Sequence, residues 1–592
     1  TLKTGFILIN LFLLFPFAGH VLNGFSYVSN RWIWAYGMLM AYIFVKIYPE
    51  LFNLSLKEKR TIFVFLIGYC VLALLPDAAR TQRNLVAVLL LVLATFTVLS
   101  FGAVFTKRKN LMLMTGGFLI AGILFNMYYQ YSYEKDYLSE FSDQGEALDK
   151  LETGTDLAVL KTGDESIYRY DQMGTHSYEN SSMQTGTNST SYYFSVASGD
   201  ITNFFNEVDL NTPWDYHYEN LDSRTILDRL AAVKYFVVKA GEEEYLPYGY
   251  DTLAAEAEKK DRLYRAYECK NALPIGYTYD SYIPEKKYAK MSTVEKQQAL
   301  LQGVVLADSA VPETTPEFND REVSYKLVTG SGCKEKDGKL IITKENAQAK
   351  LVFDGLDECE TYLITEGVDY EALSPRELIS DKKWNKMTLY EQKKVQYENS
   401  KWRYWKESQK AYIDVTGQFL DKTISIFTDK YNAYSGRSDF LCNTGYSEKG
   451  KKSITLTFEN TGVYSYKDMK VVCQPMKNIE SQTSRLGTES LKDVKIKNHE
   501  LTGSISVSKD KVLVISLPYS KGFQAYVDGQ KTELKQANTM YMALELTKGD
   551  HEIRITYYTP YLKTGLVLTC VGILCYICVV LVCKKRRGNK ET

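Results

Sequence analysis

Apolar residues along this 592-residue chain fall into two regimes. Six runs read as membrane-crossing helices: residues 6–22, 32–48, 61–75, 85–105, 111–131 and 564–582. A bilayer's hydrocarbon core takes about 20 apolar residues as helix. The run 61–75 is the shortest and equally suits an interfacial helix. Residues 132–563 are polar, charged and rich in tyrosine. The pattern predicts a membrane region at 1–131, a large soluble part, a closing transmembrane helix at 564–583 and a basic tail at 584–592.

Within the soluble part the grammar changes along the chain. Residues 155–162 (TDLAVLKT) and 166–171 (SIYRYD) read as strands. A helix around 223–232 precedes VKYFVVK at 233–239, whose β-branched and aromatic content predicts a buried strand. Residues 251–264 read as a charged helix and 273–282 as a turn plus strand. Ser292 and Glu295 have the spacing of a capping box. Together 132–319 is predicted to be a mixed α/β domain. From residue 321 short, turn-bounded strands follow at 325–330, 339–344, 349–355 and 360–367. A helical insert at 374–412, rich in Lys, Glu and Gln around Trp384, Trp402 and Trp405, reads as a solvated helix. Strands resume at 423–428, 453–458 and 469–474, and again from 512 to 558. Asp528-Gly529 is a hairpin signal and Gly549-Asp550 reads as another turn. Residues 320–563 are therefore expected to be β-sandwich material, in two packed units. The predicted fold class is multi-domain: transmembrane helices, an α/β domain, β-sandwich units and a C-terminal transmembrane helix.

Charge sets the orientation. Lys57, Lys59 and Arg60 cluster in one loop, Lys107, Arg108 and Lys109 in another, and Lys584, Lys585, Arg586 and Arg587 follow the last run. All three clusters fall on one side if every run spans, and basic loops mark the cytoplasm. The loops 23–31 and 76–84 and the whole soluble part are then extracytoplasmic. Loop 23–32 (NGFSYVSNRW) places Asn23, Asn30 and Arg31 at a membrane surface, where their polar groups must be satisfied. Loop 76–84 (PDAARTQRN) adds Asp77, Arg80 and Arg83. These six are the candidate substrate-binding residues. Two readings stand for the arginines: headgroup anchors, or forks onto phosphate oxygens.

Lys+Arg and Asp+Glu balance at 71 each, which excludes a general nucleic-acid binder. Five of the ten cysteines lie in the soluble part at irregular spacing, with no zinc or disulfide framework. Cys442 and Cys473 fall in predicted strands, either paired or as two free thiols. The five histidines have no ligand spacing. Nucleophile, zincin, phosphate-loop and dinucleotide motifs are absent from the sequence, and no carboxylate spacing marks a glycosidase pair. The Ser/Thr/Asn/Gly-rich stretch 174–203, interleaved with tyrosines, is either a solvated loop or a carbohydrate-binding one. The first residue is Thr1, and the chain is expected to be the C-terminal piece of a longer polytopic protein.

Several stretches carry a resemblance: NGFSYVSNRW at 23–32, NALPIGYTY at 271–279, EKQQALLQGVVL at 295–306, SGRSDFLCNTGYS at 435–447, PYSKGFQAYVDGQK at 518–531 and GDHEIRITYYTPYLKTG at 549–565. In this order they resemble the YfhO family of bacterial membrane proteins. The resemblance implies a GT-C-like glycosyltransferase that takes a sugar from a polyprenyl-phosphate carrier. Its acceptor would be an extracytoplasmic polymer such as lipoteichoic acid. The family's catalytic acid, a general base or divalent-metal ligand in the first outer loop, would precede Thr1. The catalytic residue and any cofactor are therefore unassigned on this chain. The implied partners are a lipid-linked sugar, a cell-wall polymer and the membrane. The alternative is a non-enzymatic, membrane-anchored surface protein that binds glycan or protein.

Overall fold

The computed structural model describes all residues except 1, 26–27, 75–81, 101–106, 132–142, 174–179, 213–215, 403–409, 418–419, 430, 432–433 and 589–592. It forms two compact units, Thr1–Asp149 and Lys150–Thr592.

The first unit is helical: Leu2–Leu14, Pro16–Leu22, Ile33–Ile47, Leu56–Leu74, Gln82–Leu99 and Arg108–Tyr131. The expected single segment 6–22 is two helices. Pro16 disfavours helical backbone at the residue before it, and Phe15 is extended at φ −105°, ψ 113°. Only Arg108–Tyr128 in this unit is both long and apolar enough, among the described residues, to count as a membrane span; Leu2–Leu14 and Asn84–Leu99 are shorter apolar helices. The helices carry exposed apolar side chains over most of their surface, Phe17, Phe65 and Leu72 being more than 70 % exposed. Polar ties within the unit include Tyr48 OH to Thr115 Oγ1 at 2.8 Å.

The second unit is strand-rich and ends in the helix Leu562–Gly588, whose 562–585 portion is the other candidate span. Its first sheet has the order Arg169–Gln172, Val233–Lys239, Arg262–Cys269, Tyr250–Lys259, with the first pair parallel. Two expectations are corrected here. Residues 155–162 are not a strand: Gly154–Leu160 is a helix, because Thr153 and Asp156 form a reciprocal capping box at its start. Residues 251–264 are not a helix but a hairpin, since Lys260 and Asp261 both adopt positive φ, 50° and 59°, between the paired Lys259 and Arg262. That left-handed pair matches the twist of the flanking strands, and tertiary pairing overrides the helix propensity of the Ala/Glu-rich sequence. Gly154 lies against the Tyr264 ring, which a Cβ would approach to 2.2 Å. Gly154→Ala is expected to cost about 1–3 kcal/mol through overpacking, read as a lowered unfolding midpoint.

Two strands explain why the apolar runs 360–367 and 512–518 lack clean alternation. Lys511–Pro518 is buried on both faces. Val512 and Val514 enter one core and Leu513 and Ile515 another. It pairs with Tyr541–Leu546 on one side and with Gly276–Tyr279 on the other. One sheet thus joins residues more than 230 positions apart, across the expected boundary at 319/320. Cys359–Glu366 is likewise buried on both faces: Leu363 packs with Leu351, Ile413 and Ile454, while Tyr362 packs with Val294 and Leu441.

Several elements match expectation. Ser292 and Glu295 cap Thr293–Ala299. Asp528-Gly529, both at positive φ, turn Phe523–Val527 onto Gln530–Thr532. Others differ. Gly549 and Asp550 open the strand Gly549–Tyr557 instead of forming a turn, because they pair with Val507 and Ser506. The stretch 374–412 holds the helices Asp381–Trp384 and Leu389–Trp402, but a strand already starts at Lys410. Cys442 and Cys473 are both buried and free. Their strands pair with opposite sides of Cys359–Glu366, too far apart for a disulfide.

Candidate functional site

In the first unit the loop 23–32 folds back on the helices beside it. A Cβ at Gly19 would lie 3.1 Å from the Ser29 carbonyl oxygen and 3.2 Å from Asn30 Oδ1. Gly19 thus allows the returning chain to touch the helix. Trp32 packs edge-on against Phe12 at 6.5 Å, and His20 against Phe25 at 5.8 Å. Asn30 and Arg31 are exposed at the turn, and Asn23 is half-buried. The Trp32 indole N–H is buried without a hydrogen-bond partner among the described residues, next to the exposed Arg31. Asp77 and Arg80 lie outside the described residues, and Arg83 falls on the first turn of Gln82–Leu99. The described residues therefore bring Asn23, Asn30 and Arg31 onto one loop. The grouping of Arg31 with Arg80 or Arg83 falls outside what the described side chains cover.

In the second unit a cleft of about 710 Å³ opens between the strand Asp369–Ala372 and the segments around Phe427 and Gly436. Its lining mixes carboxylates (Asp369, Glu371, Asp429), a base (Lys467) and aromatic area (Phe427 and Tyr434, the latter 50 % exposed). Its walls are fixed by their own chemistry. Gly436, at φ 78°, turns the chain so that Arg437 donates to the Leu210 and Thr212 carbonyls at 2.6 and 2.9 Å. The same guanidinium lies 5.1 Å from the Phe440 ring centre. Tyr370 donates to the Thr461 carbonyl at 2.9 Å. Phe427 and Tyr431 stack at 4.8 Å. An exposed Tyr434 face and a half-buried Phe427 beside carboxylate acceptors suit a polyhydroxylated ligand. The sequence singled out Gly436–Gly445 only as part of a resemblance; the cleft arises from residues up to 100 positions apart.

The stretch 174–203, read either as a solvated loop or as a carbohydrate-binding one, is only partly described. Tyr192 stacks on Tyr218 at 5.0 Å, while Tyr193 and Phe194 are exposed. Asn180 exchanges hydrogen bonds with the Tyr193 backbone at 2.8 and 3.0 Å.

The most perturbed groups outside these sites are buried. Burial, then the charge of Asp171, holds the Asp228 carboxyl well above the usual carboxylate range. Burial lowers Lys451 to about 8; its ammonium donates to the Thr444 and Gly445 carbonyls. Arg224, fully buried, donates to Gln297 Oε1 at 2.9 and 2.7 Å and to the Val208 carbonyl at 2.5 Å. Gln297 passes the network to Tyr362 and Gln474. Sequence reading missed this network, although polar Glu360, Tyr362 and Gln474 within apolar strands were a signal for it. Among the described residues no group of three or more His, Cys, Asp or Glu side chains could hold a metal.

The model of the family described as "Bacterial membrane protein YfhO" matches residues 2–569. The chain belongs to the YfhO family. A curated relative, the uncharacterized protein YfhO of Bacillus subtilis (strain 168), is 23 % identical over 98 % of this chain and 63 % of its own length. The YfhO-family chain described here thus spans less than two thirds of that relative. A solved structure, the arabinofuranosyltransferase AftD from Mycobacteria, aligns over 28 % of this chain and 13 % of its own, at 13 % identity and a TM-score of 0.12.

Proposed function

We propose that this YfhO-family protein is a membrane-bound, GT-C-like glycosyltransferase. It moves a sugar from a polyprenyl-phosphate donor to an extracytoplasmic cell-wall polymer such as lipoteichoic acid. The observation that carries the reading is the family match over residues 2–569, which spans both the apolar helical unit and the strand-rich unit. The exposed apolar helix surfaces support the membrane setting, since hydrocarbon accommodates them and water does not. Basic loops on one side support an orientation with the strand-rich unit, read as packed β-sandwiches and an α/β part, outside the cell.

In this reading Arg31, together with Arg80 or Arg83, neutralises the leaving phosphate. Asn23, Asn30 and Asp77 line the same lipid-side pocket. A carboxylate not assigned on this chain activates the acceptor hydroxyl. The cleft at Asp369, Phe427 and Tyr434 holds the acceptor polymer.

The test is transfer by the full-length protein. Arg31→Ala is expected to lower polymer glycosylation about a hundredfold, the scale of losing one donor aimed at developing charge. Tyr434→Ala is expected to weaken acceptor binding by about threefold to tenfold while leaving donor cleavage intact. Unchanged transfer in Arg31→Ala at normal expression sinks the phosphate role. Polymer capture without any transfer by the wild type favours the non-enzymatic binding protein instead.

A further inference from the structure

The strand Gly549–Tyr557 runs almost directly into the helix Leu562–Gly588. The first of the four residues between them, Tyr558, is held by the sheet. Tyr557 N–H donates to the His499 carbonyl at 2.8 Å and Tyr558 N–H to the Gly522 carbonyl at 3.0 Å. The His499 and Tyr558 rings lie 5.6 Å apart. A Cβ at Gly522 would come within 2.4 Å of the Tyr558 carbonyl oxygen and 3.1 Å of Pro560 Cδ, so the turn before Phe523 is seated on the connector. The helix then begins at once, with Gly565 N–H donating to the Tyr561 carbonyl at 2.8 Å. The sheet and the helix are joined by a packed corner.

The sheet register says what else lies at that corner. Glu500 pairs with Thr556, Lys497 with Glu500, and Phe523 with Tyr557. The turns Lys497–His499 and Ser520–Gly522 therefore share one end of the sheet with the helix start. Their side chains form an amphipathic set. Lys497, Lys521 and Lys563 are exposed. So are Ile496 at 47 %, Tyr558 at 59 % and Tyr561 at 81 %. Glu500, the acid at this end, is ion-paired with Arg554 at 3.3 Å.

We propose that this end of the sheet docks on the headgroup layer of an anionic lipid membrane. Tyr558 and Tyr561 seat at the interface, and Lys497, Lys521 and Lys563 pair with lipid phosphates. The inference rests on residues 562–585 crossing the membrane. Amphipathic tyrosines and lysines are the side chains such an interface takes, and anionic lipid attracts basic groups within about a Debye length. The consequence is a strand-rich unit whose last sheet stands fixed on the bilayer and does not swing on a tether.

The test uses the full chain in sealed vesicles, with a membrane-impermeant amine-reactive reagent and mass spectrometry. Vesicles are made of phosphatidylcholine alone or of phosphatidylcholine with phosphatidylglycerol. Lys548, at the other end of the sheet and roughly 25 Å away along the strands, is the internal control. Adding phosphatidylglycerol is expected to slow labelling of Lys497, Lys521 and Lys563 by roughly fivefold, with Lys548 unchanged. A second chain carrying Tyr558→Ser and Tyr561→Ser is expected to lose part of that protection while remaining in the vesicles. If the three lysines label as fast as Lys548 in both lipids, the docking is overturned. If Lys548 and Lys584 are labelled together on single molecules in sealed vesicles, the crossing helix itself fails, which is a separate result.

Discussion

Arg224→Ala is expected to cost the strand-rich unit about 3–5 kcal/mol, the range for breaking a buried, hydrogen-bonded charge. The guanidinium is fully buried and its donors fill Gln297 Oε1 and the Val208 carbonyl. It also faces Tyr362, whose ring centre is 5.9 Å away, and its charge opposes the burial that raises the Glu360 carboxyl. Glu360 in turn accepts from Thr225 N–H at 3.1 Å and from Tyr362 OH at 2.5 Å. Removing Arg224 strands two buried acceptors and opens a cavity between the helices Thr225–Leu230 and Thr293–Ala299 and the strand Cys359–Glu366. Arg224→Met refills volume only, so it should recover the cavity share and leave the acceptors bare. The check is the denaturant or thermal midpoint of the full chain. A loss below about 1 kcal/mol, the net worth of a single ordinary hydrogen bond, would show that the network is not a keystone of this unit.

The second large effect concerns pH. Asp171 and Asp228 are both fully buried. Asp171 accepts from Gln172 N–H at 2.6 Å and Leu221 N–H at 3.0 Å, whereas among the described residues neither Asp228 oxygen has a hydrogen-bond partner. Burial first, and Asp171 second, raise the Asp228 carboxyl well above its ordinary range, with Glu360 and Cys269 adding to the effect. Burial also raises Asp171. Burial beside a second carboxyl therefore favours a native chain that keeps a proton on this pair. Over the window from the unfolded value near pH 4 up to the raised native value, the native chain binds more protons than the unfolded one. Stability therefore falls as pH rises through that window, by about 1.4 kcal/mol per pH unit for each retained proton. Asp228→Asn supplies N–H donors to Asp171 without a proton to lose. It is expected to raise the unfolding midpoint at neutral pH and to lose that advantage near pH 4. An Asp228→Asn chain that is less stable than wild type at neutral pH would mean that the pair is not held by a proton.

The sequence by itself determined what local physics decides. The apolar runs located the helices of the first unit and the final helix. The Ser292 and Glu295 spacing marked a helix start, and Asp528-Gly529 marked a hairpin, because caps and turns are satisfied within a few residues. The order of soft motifs along the chain pointed to the YfhO family, which the match over residues 2–569 shows. Misreadings occurred where long-range pairing outweighed local preference. Residues 251–264 have helical composition but pair as a hairpin against Val233–Lys239. Residues 155–162 are the exception: they look like a strand, but a local capping box at Thr153 and Asp156 starts a helix there. Of the candidate site, Asn23, Asn30 and Arg31 could be named from their place between apolar runs. The cleft at Asp369, Phe427 and Tyr434, the Arg224 network and the acid pair could not be named. Each is assembled from segments tens to hundreds of residues apart, and no local period records which face of a doubly buried strand meets which partner. Only the tertiary structure decided those, because burial makes a charge costly and the fold alone chooses what answers it.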